Sequence, residues 1–176
     1  GSIANWTGSG VDNPATDLYY STLEGTDYFP DIQLGRLSVT TETELSHIVG
    51  KTMATERIKN AVFMASTDNY AVTEGTHNYV ITNYLDPALW TSQRLFSHNG
   101  ATTQEVVSAI NSGRDLATYS GHGGQTSWAD GPVFTQSNIQ SLTNIDVYPT
   151  VFSFACLTGS YEVPECFGET WIRDDH

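Results

Sequence analysis

Three apolar runs separated by polar segments constrain the fold of this chain more than any other feature of its sequence. They cover residues 60–66, 116–119 and 150–155. A continuous apolar run is typical of a strand that is buried on both faces, as strands of parallel sheets are. Because segments with helical spacing lie between the runs, the sequence predicts an α/β fold with a parallel sheet.

Two capping boxes mark where helices begin. Thr41 and Glu44 form one pair and Thr102 and Glu105 the other, so that side chains can satisfy the first backbone amides of each helix. Gly113 has the position expected just after the end of the second helix. The remaining predicted elements are a strand over residues 31–37, a helix over 74–85, a short strand at 94–96 and a final helix over 165–173.

The charge of the chain restricts its partners. The 176 residues are enough for one domain, and 7 Lys and Arg face 20 Asp and Glu, a formal charge of -13. Nucleic acid is excluded as an expected partner because phosphates would not be neutralised. A cationic substrate would be attracted, although most of the carboxylates are expected to form an ordinary solvated surface.

Cysteine content and hydropathy bear on location. Two cysteines, Cys156 and Cys166, make no disulfide framework, although a single bond between them is one alternative. The sequence contains no run of 18 apolar residues, so it predicts no membrane span. A surface rich in Thr, Ser, Asn and Tyr but poor in Lys favours a secreted or cell-surface protein.

A histidine and a cysteine follow two successive predicted strands. His122 lies in a Ser-Gly-His-Gly-Gly turn after the strand at 116–119, and Cys156 follows the run at 150–155. Parallel strands would bring both to one edge of the sheet, where a thiolate nucleophile and its general acid/base could meet. Backbone N–H groups of Gly123 and Cys156 could stabilise an oxyanion. Separately, each residue has an alternative explanation, a tight turn for His122 and a small core residue for Cys156.

The order of motifs resembles the gingipain family of bacterial cysteine peptidases. The resemblance covers about residues 27–173. It rests on Tyr119-Ser120-Gly121-His122-Gly123, Trp128, Gln140-Ser141-Leu142-Thr143-Asn144, Pro149, Phe152, Ala155-Cys156, Cys166-Phe167-Gly168-Glu169 and, upstream, Gly35-Arg36-Leu37-Ser38 and Glu56-Arg57.

This resemblance implies a caspase-like α/β fold, a three-layer sandwich around a mostly parallel sheet that we expect to be incomplete in this chain. Residues 1–30 read as an irregular N-terminal segment, and residues 31–176 as part of a peptidase catalytic domain. The family's domain continues beyond the nucleophile, whereas this chain ends 20 residues after Cys156. A second chain of a processed enzyme and a truncated chain are the alternatives.

The resemblance also implies roles for single residues. It makes Cys156 the nucleophile, His122 the general acid/base and Asp68 the acidic residue that orients the histidine. The family usually has Glu at that position, and a loop aspartate that caps its own turn is the alternative for Asp68. Cys166 is expected to pack in the core.

Two residues are candidates for substrate binding. An ungapped count back from His122 places at Glu74 the pocket acid of arginine-specific family members, where a carboxylate would pair with Arg or Lys at P1. An ordinary glutamate near a helix N-terminus is the alternative. Trp128 could form a wall of the substrate site, or it could pack in the core.

No cofactor is expected for the chemistry, and no metal ligand set is assigned. His47, His77, His98 and His176 share no metal-ligand spacing. The acidic loops at residues 12–17 and 27–31 are candidate structural calcium sites by resemblance, although neither has an EF-hand pattern. The predicted function is a cysteine endopeptidase acting on proteins or peptides after Arg or Lys. The alternatives are a sorting-signal transpeptidase of the same family and a non-catalytic interaction module of the same fold.

Overall fold

A four-stranded parallel sheet with helices on both faces forms the body of the protein. The computed structural model describes residues 16–54 and 57–175. The main sheet has the order β2-β1-β3-β7, and a small antiparallel sheet has the order β4-β5-β6. The strands are β1 (Asn60–Ala65), β2 (Thr91–Phe96), β3 (Leu116–Ser120), β4 (Gly123–Gly124), β5 (Ser127–Trp128), β6 (Phe134–Thr135) and β7 (Thr150–Phe154).

The side chains of β1 divide the core into two halves. Val62 and Met64 point to one face, where they join Val106 and Ile110 of helix α3 (Thr103–Asn111). The alternate residues Ala61, Phe63 and Ala65 point to the other face and join Ile81 and Phe96. Because helical residues pack on both faces of β1, the predicted α/β three-layer arrangement is confirmed.

Both predicted helix starts are confirmed. Helix α1 (Glu42–Met53) begins after Thr41, whose side chain accepts a hydrogen bond from the Glu44 amide. Helix α3 begins after Thr102 with both bonds of its capping box formed. The other helices are α2 (Tyr70–Val80), which continues as a π-helical turn over Ile81–Leu85, α4 (Gln136–Gln140) and α5 (Phe167–Arg173).

Three of the predictions on local structure were wrong. Residues 31–37 form no strand but an exposed irregular segment, with Leu37 61% exposed. Helix α2 begins at Tyr70, four residues earlier than the polar composition of that region indicated. The apolar side predicted for α1 is buried only at Ile48. Alternating or helical spacing alone does not bury a segment, because burial depends on what packs against it.

A buried ion pair fastens the segment before α1 to α5. The Arg173 side chain is 7% exposed and donates to a carboxylate oxygen of Glu169 at 2.7 Å. Its Nε also donates to the Ser38 carbonyl at 2.9 Å. Guanidinium groups can satisfy several acceptors at once, so one side chain connects segments 135 residues apart.

The edge strand β7 carries exposed aromatic rings. Phe152 and Phe154 are 50% and 63% exposed. They line an apolar groove of about 330 Å³ together with Ser120 of β3 and with Phe63, Thr76, His77, Val80, Leu116 and Thr118. Within residues 16–54 and 57–175, no helix is long and apolar enough to cross a membrane.

Candidate active site

The loops that follow β1, β3 and β7 leave the sheet at the same level. The Ser66 amide donates to the Ser120 carbonyl at 3.0 Å, and the Gly121 amide donates to the Phe154 carbonyl at 3.2 Å. These bonds extend the ladders of the sheet by one residue beyond each strand. The residues that follow, Asp68, His122 and Cys156, therefore leave from neighbouring points at the carboxyl edge of the sheet, where ligands of α/β folds bind.

His122 pairs with Asp68. Nε2 of His122 lies 2.9 Å from Oδ2 of Asp68, and the two side chains are 62% and 65% exposed. A carboxylate can only accept, so Nε2–H of His122 is the donor. This arrangement leaves Nδ1 as the nitrogen that can take a proton from a thiol. The sequence predicted this pair only through the family resemblance.

Gly123 places the histidine loop directly against the cysteine turn. A Cβ atom added to Gly123 would lie 2.8 Å from the carbonyl oxygen of Cys156 and 2.7 Å from Cβ of Ala155. These are closer than a real Cβ tolerates, so only glycine allows this approach. The structure thus brings together the two loops that carry His122 and Cys156.

Two hydrogen bonds of Thr158 stabilise the turn that carries Cys156. Oγ1 of Thr158 donates to the Ala155 carbonyl at 3.1 Å, and the Gly168 amide of α5 donates to the Thr158 carbonyl at 2.8 Å. The Cys156 side chain itself is exposed. A reactive thiol needs both access and a fixed position, and the turn provides both.

The two cysteines differ in environment. Both are free thiols, so they do not form a disulfide. Cys166 is buried before α5, and burial raises the pKa of its thiol, with a backbone hydrogen bond involving Glu169 opposing the shift. A raised thiol pKa disfavours the nucleophilic thiolate, in agreement with the packing role expected for Cys166.

Glu74 contacts a second histidine instead of the apolar groove. It lies on α2 with Oε1 3.5 Å from Nδ1 of His98, and its side chain is 14% exposed. The His98 ring stacks on Tyr70 with ring centroids 3.8 Å apart. Helix α2 lines the groove beside Ser120 and Phe154 with Thr76, His77 and Val80. In this structure Glu74 is therefore directed away from that groove.

Trp128 does not form a wall of the site. It is 0% exposed, stacks on Tyr119 with centroids 4.5 Å apart and contacts Phe134 and Phe167. Its indole N–H donates to Oγ of Ser153 at 2.9 Å. The prediction that Trp128 binds substrate is therefore corrected: a fully buried ring offers no surface to a substrate, and packing is what the structure shows.

The described residues do not form a metal centre. In the part of the chain that the structure describes, no group of three or more His, Cys, Asp or Glu side chains could hold a metal ion. Oδ2 of Asp31 accepts from the amides of Leu23 and Glu24 at 2.6 and 2.9 Å, and Oδ1 of Asp27 accepts from the Phe29 amide. Most of the acidic loop at residues 12–17 lies outside the described residues.

Two residues beside His122 were missed by the sequence reasoning. The Tyr119 hydroxyl donates to the His122 carbonyl at 2.9 Å, and Oδ2 of Asp130 accepts from the Asp68 amide at 3.3 Å. The Gly131-Pro132 pair after Asp130 is typical of a turn, but such a pattern does not indicate what the turn contacts.

Known proteins share both sequence and fold with this chain. The sequence profile described as peptidase family C25 matches residues 3–176. Lys-gingipain of Porphyromonas gingivalis is 32% identical over 170 residues, which are 90% of this chain and 10% of the relative. Gingipain R2 of the same species is 28% identical over 173 residues, or 90% of this chain and 23% of the relative.

Solved structures share the fold. The crystal structure of the Arg-specific cysteine proteinase gingipain R superposes with a TM-score of 0.78 at 24% identity, covering 91% of this chain and 40% of that one. A complex of the pro- and mature domains of Porphyromonas gingivalis RgpB gives a TM-score of 0.77 at 24% identity, with 91% and 41% covered. This chain therefore spans less than half of these relatives. Because the family profile matches nearly its whole length, the chain belongs to peptidase family C25, the gingipain family of cysteine peptidases.

Proposed function

We propose that this chain carries the catalytic centre of a cysteine endopeptidase, with Cys156 as nucleophile and His122 as general acid/base. The observation that carries the proposal is the contact of the His122 loop with the Cys156 turn at Gly123, combined with the pairing of Asp68 with Nε2 of the His122 imidazole. The exposed thiol and the exposed imidazole leave room for a peptide substrate.

The proposed reaction follows from the orientation of the imidazole. Nδ1 of His122 takes the thiol proton, and Sγ of Cys156 attacks the scissile carbonyl carbon. The N–H groups of Gly123 and Cys156 stabilise the tetrahedral oxyanion. His122 returns the proton to the leaving amine, which departs as the C–N bond breaks and a thioester forms. Water, deprotonated by His122, then hydrolyses the thioester and releases the acid.

Cleavage after Arg or Lys is the proposed specificity. Its support is the naming of the relatives as Lys-gingipain and as an Arg-specific proteinase, together with a net charge of -13 that favours cationic substrates. Glu74 remains the pocket acid that the family resemblance predicts, although its carboxylate contacts His98 rather than the apolar groove. We expect Glu74→Gln to raise KM for Arg and Lys reporter peptides. An unchanged KM would assign the cation site to other residues.

The decisive experiment compares the two cysteines. Cys156→Ala should abolish cleavage of Arg or Lys reporter peptides, while Cys166→Ala should leave kcat within a few-fold of the parent. Rapid alkylation of Cys156 by iodoacetamide at near-neutral pH, with slow labelling of Cys166, should accompany activity. Cleavage that persists in Cys156→Ala would overturn the proposal.

Location, partners and calcium are part of the same proposal. We propose an enzyme that acts outside the cell, because its composition is rich in Thr, Ser, Asn and Tyr. The partners that we propose are protein or peptide substrates and a second segment of the same processed enzyme, because one of the similar structures is a complex of pro- and mature domains. Co-purification of a second segment, seen by mass spectrometry, tests this point. A rise in Tm in calcium relative to a chelator would support a structural calcium ion.

A further inference from the structure

One short loop contacts both members of the His122–Asp68 pair. The Ala129 amide donates to the His122 carbonyl at 2.9 Å, and Oδ2 of the next residue, Asp130, accepts from the Asp68 amide at 3.3 Å. The loop thus joins the backbone of the histidine to the backbone of its carboxylate partner. These bonds are separate from the bond between the two side chains.

Tyr119 holds the same histidine from inside the protein. Its hydroxyl donates to the His122 carbonyl at 2.9 Å, and its ring is 0% exposed and stacked on Trp128 at an interplanar angle of 14°. Burial raises the pKa of Tyr119 to about 12, with a backbone hydrogen bond from Asp130 opposing the shift. The Tyr119 hydroxyl therefore stays protonated, and remains a hydrogen-bond donor, over the pH range in which a peptidase works.

Two glycines make room for these contacts. A Cβ on Gly121 would lie 2.6 Å from the Tyr119 hydroxyl oxygen and 2.6 Å from Cβ of Ser66. Gly131, directly after Asp130, has φ +73, and a Cβ there would lie 2.5 Å from Oγ of Ser97. The backbone just before His122 and just after Asp130 thus lies close against neighbouring segments.

An exposed ion pair needs such support. Pairs between solvent-exposed side chains are weak and do not by themselves fix a geometry. His122 and Asp68 are both more than half exposed, so their side-chain contact alone would hold the imidazole weakly. The hydrogen bonds to the backbones of His122 and Asp68 fix the points from which their side chains extend. They therefore restrict which ring nitrogen of His122 faces Asp68.

We propose that Tyr119 and Asp130 are positioning residues, which fix His122 and Asp68 so that Nε2–H points at the carboxylate and Nδ1 stays available to Cys156. The inference rests on the proposed function for its catalytic meaning, but the positioning itself is a property of the folded chain. In this role Asp130 acts as a hydrogen-bond acceptor rather than as a charge.

The direct test is the tautomer of His122, read from the ¹⁵N shifts of its imidazole in the 176-residue chain. When the imidazole is neutral, the parent should show a protonated Nε2 and an unprotonated Nδ1. Asp130→Ala and Tyr119→Phe should give shifts averaged between the two tautomers. Asp130→Asn keeps an acceptor oxygen and should retain the parental shifts. Parental shifts in both Asp130→Ala and Tyr119→Phe would overturn the proposal.

Kinetics separate positioning from substrate binding. Asp130→Ala should lower kcat by up to about 100-fold, the scale of a small misplacement of a catalytic group, with KM little changed. Asp130→Asn should restore most of kcat. If Asn and Ala variants both raise KM equally, Asp130 acts through its charge on the substrate, and the proposal fails.

Failure of the proposed function can be distinguished from failure of the positioning proposal. A parent chain without Cys156-dependent cleavage would contradict the peptidase proposal, whereas the tautomer measurement would still decide the positioning role. Thermal unfolding of each variant shows whether the fold is kept. Tyr119→Phe preserves the ring that stacks on Trp128. Asp130 is only partly buried, so its substitution should be tolerated by the fold. If Tyr119→Phe does not fold, the comparison of Asp130→Ala with Asp130→Asn decides whether the positioning role holds.

Discussion

Asp68 and His122 are 54 positions apart in the chain, yet Oδ2 of the first lies 2.9 Å from Nε2 of the second. Two neighbouring parallel strands, β1 and β3, deliver them to the same edge of the sheet. The carboxylate selects the tautomer of the imidazole, because it can accept a proton but has none to donate. Orientation of the imidazole is thus a consequence of strand order.

Removal of this carboxylate should slow catalysis. We expect Asp68→Ala to lower kcat/KM by about 100-fold, at the low end of what positioned acid–base catalysis contributes, because the pair is exposed. Asp68→Glu should recover part of the loss, since the longer side chain can still accept from Nε2. The measurement is hydrolysis of a reporter peptide. Combined with His122→Ala, the Asp68 change should cost little more, and full additivity would argue against a common role.

Substitution of Gly123 should separate the two catalytic loops. The methyl group of Gly123→Ala would meet Ala155, Thr158 and the Cys156 carbonyl at 2.7 to 2.8 Å, and none of the backbone involved can give way cheaply. We expect strongly reduced cleavage and slower alkylation of Cys156. Gly124→Ala is the matched control, because a Cβ there has no neighbour within 4 Å. Equal effects at both glycines would refute the steric argument.

The buried ion pair of α5 should matter for stability rather than for chemistry. Arg173→Met leaves the Glu169 carboxylate buried without its guanidinium partner, and losing one member of a buried pair costs about 3–5 kcal/mol. The free energy of unfolding in urea measures this loss. The double replacement by Met at both positions should be less damaging than Arg173→Met alone. The exposed Arg94 provides a control, since Arg94→Met should change stability little.

Lys51 should make stability depend on pH in the alkaline range. Burial lowers the pKa of Lys51 from 10.5 to about 8, opposed by Asp174 and Asp175. Between these values the unfolded chain holds more protons on Lys51 than the native state does, so the free energy of unfolding rises with pH. Below about pH 8 both states are protonated and the cost of burying the charge is constant.

The comparison with Lys51→Met isolates this contribution. The stability of the variant relative to the parent should be greatest below about pH 8 and should decline towards pH 10.5. Lys59→Met, at an exposed position, should show a difference from the parent that does not vary with pH in this way. Urea unfolding at a series of pH values supplies the data. A constant difference for Lys51→Met would show that the ammonium group is not desolvated.

The central strands could be predicted from sequence, because a strand buried on both faces must be apolar throughout. The run at 60–66 therefore indicated β1 without further information. The capping boxes could be predicted equally well, since Thr102 and Glu105 are close in sequence and each side chain accepts a hydrogen bond from the other's backbone amide. The segment at 31–37 was misread as a strand because its alternation has no partner strand in the described structure.

Contacts between distant segments could not be predicted. The bond from Arg173 to Ser38 and the bond from Asp68 to Asp130 depend on the positions of separate loops, to which no local pattern corresponds. Trp128 shows the same limit: an aromatic residue after a catalytic loop fits a substrate wall and a core equally well. Only the packing of β5 against Tyr119 distinguishes the two.

Tyr119 belongs both to the hydrophobic core and to the candidate active site, because its ring stacks on Trp128 and its hydroxyl bonds to His122. Trp128 also contacts Phe134, Phe167 and Trp171, so the aromatic core ends, through one hydroxyl, at the carbonyl of His122. Any change that loosens this cluster would therefore also disturb the backbone that carries the histidine. Under the proposed function, substitutions in this core would alter turnover as well as stability, so screens for the two properties would not be independent.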